Sequence, residues 1–361
     1  MKGSWKIGQV AGIGLYIHAT FLLLIGWVAL SHWIAGQSVQ AVLKGVGFIL
    51  ALFGCVLLHE LGHALTAKKY GIKTRDITLL PIGGLARLER MPDKPIQELW
   101  VALAGPAVNV VIALGLFAWL DMMASLQPLA ELGVTEGSFL QRLMIVNIFL
   151  AVFNMTPAFP MDGGRVLRAL LATQMDYTRA TQIAATVGQG LALGFGFIGL
   201  FGNPMLLFIA LFVWIGAAQE ASMTQMKSAL GGIPVSMAMI REFHTLTSTD
   251  SLARAIDLIL SGSQADFPVV DHGGVVGVLT RNDLLIALAK NGQTTPVTAV
   301  MHRDVQVVDE GEMLEIAFAR LQDSQCQTLP VTSRGRLVGL VTTENVGEFV
   351  MIQAALHTPR R

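Results

Sequence analysis

Long apolar runs constrain the fold of this chain more than any other feature of its sequence. Six runs of roughly 20 mostly apolar residues are long enough to cross a bilayer as helices. They cover residues 15–34, 42–67, 99–122, 140–159, 183–201 and 205–221. The turn signal Gly202-Asn203-Pro204 separates the last two runs, which would otherwise merge into one overlong helix. The sequence therefore predicts a helical membrane domain with six transmembrane helices.

The composition agrees with a membrane protein and excludes other classes. Of the 361 residues, 53% are hydrophobic and 14% are charged, which is outside the range of wholly soluble proteins. The formal net charge of zero argues against a nucleic-acid partner, because such a partner requires a basic surface. Two cysteines, Cys55 and Cys326, cannot form a disulfide framework. Lys2 and Lys6 precede the first run without a small-residue cleavage site after it, so we expect an uncleaved first span.

The second apolar run contains three ionisable side chains within five residues, His59-Glu60-Leu61-Gly62-His63. Residues four apart lie on the same face of a helix, so both imidazoles can point at one metal ion with Glu60 beside them. H-E-x-x-H is the pattern in which two histidines bind zinc and the glutamate transfers protons. Each ionisable group at membrane depth costs on the order of 2.5–3.5 kcal/mol, and a metal ion would offset that cost. The alternative is a metal-free pair of core histidines.

A catalytic zinc site usually holds three protein ligands and a water molecule, so the motif needs one more residue. Asp162 is the candidate, because Pro157, Pro160 and Gly163-Gly164 place it on irregular backbone at the end of the fourth run. Such backbone is tolerated at membrane depth only where protein or water surrounds it. The alternative role for Asp162 is the N-cap of the helix that follows. Asn154 could offer its amide to a developing oxyanion or make a structural hydrogen bond.

The distribution of lysine and arginine predicts the orientation in the membrane. Ten basic residues lie after the second and fourth runs: Lys68, Lys69, Lys73, Arg75, Arg87, Arg90, Lys94, Arg165, Arg168 and Arg179. The positive-inside rule places these connections in the cytoplasm. The connection after the third run carries Asp121, Glu131 and Glu136 and should face the other side. Six spans then leave both termini in the cytoplasm, with the H-E-x-x-H motif near the cytoplasmic end of its helix.

Two segments between or within the runs carry further structural signals. Residues 76–88 alternate as in a β-strand and are interrupted by Pro81 and Gly83-Gly84, which predicts an edge strand or hairpin near the membrane. Residues 102–109 begin the third run with small side chains, which allow helices to approach closely. For Asn109, a packing hydrogen bond between helices explains the residue at least as well as a chemical role.

Both motifs together resemble the site-2 protease family of intramembrane zinc metalloproteases. The resemblance extends over residues 15–221 and rests on three stretches: His59-Glu60-Leu61-Gly62-His63, Gly105-Pro106-Ala107-Val108-Asn109, and Asn154-Met155-Thr156-Pro157 with Met161-Asp162-Gly163. It implies that the zinc ligands are His59, His63 and Asp162, that Glu60 is the general base, and that Asn154 assists the oxyanion. It also implies cleavage of transmembrane segments, often to release a transcription regulator or anti-sigma factor, with the strand near residues 79–85 holding the substrate extended.

The last third of the chain differs in composition from the rest and contains an internal repeat. Charges and turn residues become frequent after Lys227, and Gly231-Gly232 with Pro234 mark a linker. Four residues recur 62 positions later: Leu252, Pro268, Gly277 and Thr280 return as Leu314, Pro330, Gly339 and Thr342. Such repeats predict a pseudo-symmetric pair that buries a shared face. The predicted domains are 1–226 in the membrane, a linker at 227–234, and soluble repeats at 235–292 and 293–361.

The repeats resemble cystathionine-β-synthase (CBS) domains. Gly277-Val278-Leu279-Thr280-Arg281-Asn282-Asp283 resembles the end of a CBS domain, whose threonine and aspartate contact the ribose of adenine nucleotides. The resemblance implies a nucleotide site with Thr280, Asp283 and Thr342. Asn345 stands where the family usually has aspartate, which weakens the case for the second copy. Such pairs also form homodimers with empty clefts, so that alternative stays open.

These observations predict one architecture and leave one functional rival. We expect a six-span membrane protease with a small β segment, followed by a soluble α/β CBS pair that gates or dimerises it in the cytoplasm. The rival is a CBS-regulated transporter or channel in which the buried histidines line an ion path. A transporter would need polar residues at similar depth in several spans, whereas here they gather in the second and fourth. A catalytically inactive scaffold is disfavoured, because no expected catalytic residue is missing.

Overall fold

The protein, seen here in a computed structural model, consists of two compact units. The structure describes residues 3–36, 38–81, 83–92, 94–124, 138–324 and 326–357. The first unit is Met1–Thr224 and the second is Gln225–Arg361. Long helices and one small sheet form the first unit, and a repeated α/β arrangement forms the second.

Several of the helices that begin in the first unit start at recognisable capping residues. Their bounds are α1 Ala19–Ile34, α2 Val39–Lys69, α3 Pro95–Met122, α4 Phe139–Asn154, α5 Asp162–Ala172, α6 Tyr177–Phe201 and α7 Met205–Leu230. Ser38 and Ser138 cap α2 and α4 with their hydroxyl oxygens, and the Asp176 carboxylate accepts two backbone N–H groups at the start of α6. Pro95 occupies the first turn of α3, where its missing N–H is not needed.

Four of the described helices are long and apolar enough to cross a membrane by length and composition, namely α2, α3, α6 and α7. The first and fourth predicted spans correspond to α1 and α4, which have 16 residues each. That is shorter than the roughly 20 residues that an upright helix needs to cross the hydrocarbon core. The predicted count of six transmembrane helices is therefore not confirmed, and within the described ranges there are four long apolar helices and two shorter ones.

Three predicted boundaries differ from the structure for local reasons. Residues 15–18, predicted as the start of the first span, belong to a strand that ends at His18, whose side chain caps α1. The fourth helix ends at Asn154 rather than near residue 159, because Pro157 disfavours helical backbone at the residue before it. The last long helix continues to Leu230, so the first half of the predicted linker 227–234 is helical.

A four-stranded sheet packs against the H-E-x-x-H helix. Its strands, in spatial order, are β1 Ser4–Val10, β2 Ile13–His18, β3 Thr74–Leu80 and β4 Gly83–Leu88. The β2 and β3 strands are parallel, whereas β1 with β2 and β3 with β4 are antiparallel. The hairpin predicted within residues 76–88 is confirmed, with Thr78 opposite Leu85 and β4 at the edge. Fully buried Ile77 joins the sheet to α2 by packing with Leu61 and Ala64.

The second unit contains two copies of one strand and helix arrangement, as the repeat predicted. The first copy has β5 Leu246–Thr247, α8 Leu252–Ser261, β6 Phe267–Asp271, β7 Gly274–Leu279 and α9 Arg281–Asn291. The second has β8 Val308–Asp309, α10 Leu314–Asp323, β9 Thr328–Ser333, β10 Arg336–Thr342 and α11 Thr343–His357. In each sheet the two-residue strand pairs parallel with the central strand, which pairs antiparallel with the third.

The two copies exchange the segments that precede them. Ile240 forms an antiparallel bridge with Leu340 of the second copy, and His302 forms the equivalent bridge with Val278 of the first. The exchange extends to the cores, since Val235 packs with the second copy's core and Val297 with the first copy's core. The predicted division between residues 292 and 293 therefore separates the repeats in sequence but does not separate their packing.

We expect Ile77→Ala to lower the stability of the membrane unit, because it leaves a cavity between the sheet and α2. Truncation of a fully buried isoleucine costs about 2–5 kcal/mol. The measurement is the apparent melting temperature of the purified chain in detergent. Ile7→Ala in β1 is the matched control, since Ile7 is 54% exposed and its truncation should change the melting temperature little. Equal melting temperatures for the two variants would contradict the role of Ile77.

Candidate metal centre and active site

The three residues predicted as metal ligands meet at one point in the membrane unit. His59 and His63 lie one turn apart on α2, and their Nε2 atoms are 3.1 Å apart. Asp162, the first residue of α5, places its Oδ2 atom 3.1 Å from Nε2 of His63 and 3.2 Å from Nε2 of His59. All three side chains are buried. The carboxylate makes these contacts rather than a helix-capping bond, so the N-cap alternative for Asp162 is wrong.

Hydrogen bonds on the far side of each imidazole determine which nitrogen carries the proton. His63 Nδ1 lies 2.7 Å from the backbone oxygen of Val101, which can only accept. His59 Nδ1 lies 2.5 Å from Oδ1 of Asn109, whose Nδ2 donates to Oδ1 of Asn147 at 2.9 Å. Both Nδ1 atoms are therefore donors, so in each neutral imidazole the Nε2 atom keeps the lone pair. This is the arrangement that orients histidines as metal ligands.

The donor set fits a zinc ion in both chemistry and spacing. Two neutral imidazole nitrogens and a carboxylate oxygen direct lone pairs at one another, which is repulsive unless a cation lies between them. Zinc–nitrogen distances of about 2.0–2.1 Å in a tetrahedron place neighbouring ligand atoms about 3.3 Å apart. The three separations of 3.1, 3.1 and 3.2 Å are close to that value. Two imidazoles and one carboxylate are a ligand set of catalytic zinc, with a further position left for water.

Two glycines allow neighbouring elements to approach the site. A Cβ atom at Gly105 of α3 would overlap Nε2 of His63 and lie 2.7 Å from Nε2 of His59. A Cβ atom at Gly84 of β4 would lie 2.5 Å from Cγ of Glu60. Any larger residue at these positions would displace the histidines or the glutamate. The absence of side chains here lets α3 lie directly against the two histidines and the edge strand directly against Glu60.

A cavity of about 480 Å³ opens beside the three donors. Glu60 lines it together with both histidines and Asp162, and the edge strand β4 forms one wall. Apolar side chains complete much of the remaining surface, including Phe153, Met161 and Phe212. The space is sufficient for an extended peptide segment and a water molecule next to Glu60.

Asn154 also lines this cavity, at the last residue of α4. Its Nδ2 atom donates one hydrogen bond to the backbone oxygen of Leu150, 3.0 Å away in the same helix. The amide has a second N–H group, which the helix does not use. The residue therefore combines the structural bond and the position in the cavity that the sequence left as alternatives.

Several groups that support the site are not evident from the sequence motifs. The carbonyl of Val101 carries no side-chain signal, so no motif could reveal its bond to His63. Asn147 did carry a signal, since it is a polar residue within an apolar run, and it is fully buried in the structure. Arg165 lines the cavity with Nη1 4.0 Å from Oδ1 of Asp162.

The nucleotide-contact residues predicted in the CBS pair occupy equivalent helix starts. Thr280 accepts the backbone N–H of Asp283 at 3.2 Å and caps α9, and Thr342 accepts that of Asn345 at 3.1 Å at the start of α11. Asp283 also receives hydrogen bonds from the Thr280 hydroxyl and, at 2.8 Å, from the ring of His302. Among the described residues, Oδ1 of Asn345 is buried without a hydrogen-bond partner.

Burial argues against a reactive thiol in the same unit. Burial, reinforced by the carboxylates of Asp266 and Asp283, raises the pKa of Cys326 to about 11. Since the thiolate is the nucleophilic form, Cys326 is an inert core residue near neutral pH.

Comparisons with known proteins agree with the geometry. Peptidase family M50 matches residues 47–135 and 121–195, and the CBS domain family matches residues 230–290 and 297–350. A zinc metalloprotease of Methanocaldococcus jannaschii is 31% identical over 349 residues, which is 96% of each chain. A putative zinc metalloprotease of Synechocystis is 28% identical over 98% of this chain and 97% of the relative. A solved site-2 protease from M. jannaschii is 37% identical over 60% of this chain and 95% of its own, with a TM-score of 0.45.

These relatives favour the protease over the transporter or channel that the sequence left as a rival. The two relatives that match over nearly the whole chain are named as a zinc metalloprotease and a putative zinc metalloprotease, and the long apolar helices fit a multi-pass membrane protein. Both family resemblances noted in the sequence are confirmed. The chain therefore belongs to peptidase family M50, the site-2 protease family of zinc metalloproteases, and carries a pair of CBS domains after its peptidase region.

Proposed function

We propose that this enzyme hydrolyses peptide bonds in or near transmembrane segments of membrane proteins, within the bilayer. The observation that carries the proposal is the convergence of His59, His63 and Asp162 beside Glu60 in a cavity between apolar helices. Apolar side chains such as Phe153 and Phe212 in the cavity wall suit a membrane-embedded substrate segment. Membrane-tethered transcription regulators and anti-sigma factors are the substrate class that the family resemblance suggests.

In this proposal His59, His63 and Asp162 hold one zinc ion. When bound, zinc lowers the pKa of a water molecule towards about 7 and polarises the scissile carbonyl. Glu60 takes the proton from the water molecule as its oxygen attacks the carbonyl carbon. The carbon–nitrogen bond then breaks, and Glu60 gives the same proton to the leaving amine. Asn154 assists by directing its remaining amide N–H at the carbonyl oxygen as negative charge develops there.

The edge strand β4 provides a place for the substrate backbone. A helical substrate hides its carbonyls in its own hydrogen bonds, so it must unwind before water can attack. Pairing with an exposed strand edge replaces the lost bonds and keeps the peptide extended. Because Gly84 brings β4 against Glu60, a peptide paired there runs past the general base.

The orientation and the role of the CBS pair complete the proposal. The distribution of basic residues supports cytoplasmic termini and a cytoplasmic CBS pair. That pair would gate the protease or dimerise it, with an adenine nucleotide contacting Thr280, Asp283 and Thr342. Direct contact supports the pairing of the two copies, because Asp266 of the first copy accepts a 2.7 Å hydrogen bond from its repeat equivalent Thr328.

We expect Glu60→Gln to lower the cleavage rate by about 10²–10⁴-fold, because the amide cannot accept the proton from water. The zinc content should stay at the wild-type level, since Glu60 is not among the three donors. The assay follows cleavage of a tagged single-span substrate that is reconstituted with the enzyme in liposomes. Glu89→Gln is the control, as Glu89 is exposed. Undiminished cleavage by the Glu60 variant would rule out its assigned role.

Asp162→Ala should reduce the zinc bound per chain, because it removes one of three ligands. Elemental analysis of the purified protein after dialysis provides the measurement. Asp121→Ala, which removes an exposed carboxylate from the last turn of α3, should retain the wild-type zinc content. Unchanged zinc content in the Asp162 variant would show that the carboxylate is not a ligand.

Titration of the intact protein with AMP, ADP or ATP should release binding heat that Asp283→Ala abolishes. The aspartate is the acceptor expected for the ribose hydroxyls. Asp257→Ala serves as the control, since Asp257 is an exposed residue of α8 in the same copy. No heat with any of the three nucleotides would overturn the proposal of nucleotide binding and leave dimerisation as the role of the pair.

A further inference from the structure

Arg168 forms a buried charged cluster next to the metal centre. The residue lies on α5, six positions after Asp162, and is only 1% exposed. Its Nε and Nη2 atoms donate to Oε1 of Glu98 on α3 at 2.8 and 2.5 Å, and Glu98 is also 1% exposed. Its Nη1 atom donates to Glu220 on α7. One guanidinium therefore connects three helices through ionic hydrogen bonds.

Two aromatic rings, one in the segment before α5 and one at the start of α6, also contact the guanidinium of Arg168. Its central carbon lies 5.0 Å from the ring centroid of Phe159 and 5.0 Å from that of Tyr177. Phe159 belongs to the segment that leads into α5, three residues before Asp162, and Tyr177 begins α6. Cation–π contacts at desolvated sites favour a fixed position of the cation over each ring. The backbone on both sides of Asp162 is thus attached to Arg168.

The three metal donors lie on two groups of helices, α2 with α3 and α5, and the Arg168 cluster connects these groups. His59 and His63 are oriented by α3, through Asn109 and the carbonyl of Val101. Asp162 belongs to α5, so its distance from the imidazoles depends on how α5 packs on α3. Glu98 lies one turn before Val101 on α3. The contact between Arg168 and Glu98 therefore fixes α5 to the turn of α3 that orients His63.

A stabilising role alone does not explain these charges. Removing two ions from water is costly, and replacing a buried ion pair with apolar residues of similar volume is often neutral or stabilising. Two donors of one planar guanidinium that meet a single carboxylate oxygen, Oε1 of Glu98, do provide fixed geometry, because the rigid group restricts both distance and angle. Replacing the direct hydrogen-bond partners of metal ligands typically lowers metal affinity by about 10–100-fold, and Arg168 acts on the backbone that carries one ligand.

We propose that Arg168 is a positioning residue that clamps α5 to Glu98 and so holds Asp162 within ligand distance of the two histidines. The inference rests on the zinc assignment proposed above. It adds a structural determinant of zinc affinity that lies outside the ligands themselves and their direct hydrogen-bond partners.

The test compares zinc affinity with the stability of the zinc-free chain in the full-length protein. The variants are Arg168→Met, Arg168→Lys and the double variant Arg168→Met with Glu98→Leu. We expect the double variant to melt close to the zinc-free wild type, because apolar groups replace the pair. Its zinc affinity, measured by competition with a chromophoric chelator, should fall by about 10–100-fold. Arg168→Lys keeps the positive charge but lacks the planar guanidinium with its fixed donors, so its zinc affinity should fall at least several-fold.

Two controls separate this inference from the zinc assignment itself. Arg179→Met replaces an exposed arginine of α6 and should leave affinity and melting temperature unchanged. His63→Ala should lose zinc binding, and wild-type affinity in that variant would overturn the proposed metal site. With the metal site intact, wild-type zinc affinity in a folded double variant overturns the role of Arg168. If the double variant does not fold, affinity within twofold of the wild type for Arg168→Lys overturns that role instead.

Discussion

The convergence of two imidazoles and one carboxylate in apolar surroundings is the constraint on which the membrane unit depends. Each of these groups is costly to bury alone, and their lone pairs repel one another at separations of 3.1–3.2 Å. A cation between them reverses the sign of that interaction. The fold of the membrane unit brings helices α2 and α3, the start of α5 and the edge strand β4 together around these groups.

Local sequence information is sufficient to identify the donors and the long helices. His59 and His63 follow from helical spacing alone, and Asp162 follows from a proline and glycine pattern that interrupts an apolar run. The hairpin at residues 76–88 is also visible, because alternation and paired glycines are local signals. The CBS repeat is recognisable from identical residues at a constant interval. These features can be recognised in the sequence without knowledge of how the chain packs.

Two of the features that the sequence does not reveal, the β2 strand and the buried Arg168, depend on contacts between distant segments, whereas the missed helix ends depend on local residues. The β2 strand resembles the start of the first helix, because Leu15 and Ile17 continue its apolar run and the β3 strand that pairs with them lies far along the chain. Helices α1 and α4 are shorter than their apolar runs, since a capping histidine and a proline define their ends. Arg168 counts in the sequence only as a basic residue that indicates orientation, because nothing local distinguishes a buried arginine from an exposed one.

The exchange of leading segments between the CBS copies has a consequence for biosynthesis. The core of the first copy needs Val297 and Met301, which a ribosome adds only after α9 has been completed. The core of the second copy includes Val235 and Ala238, which are synthesised long before the rest of that copy. The core of each copy is therefore incomplete until the segment that leads into the other copy has been made. A nascent chain that stops between the repeats therefore exposes apolar surface and becomes a target for chaperones or degradation.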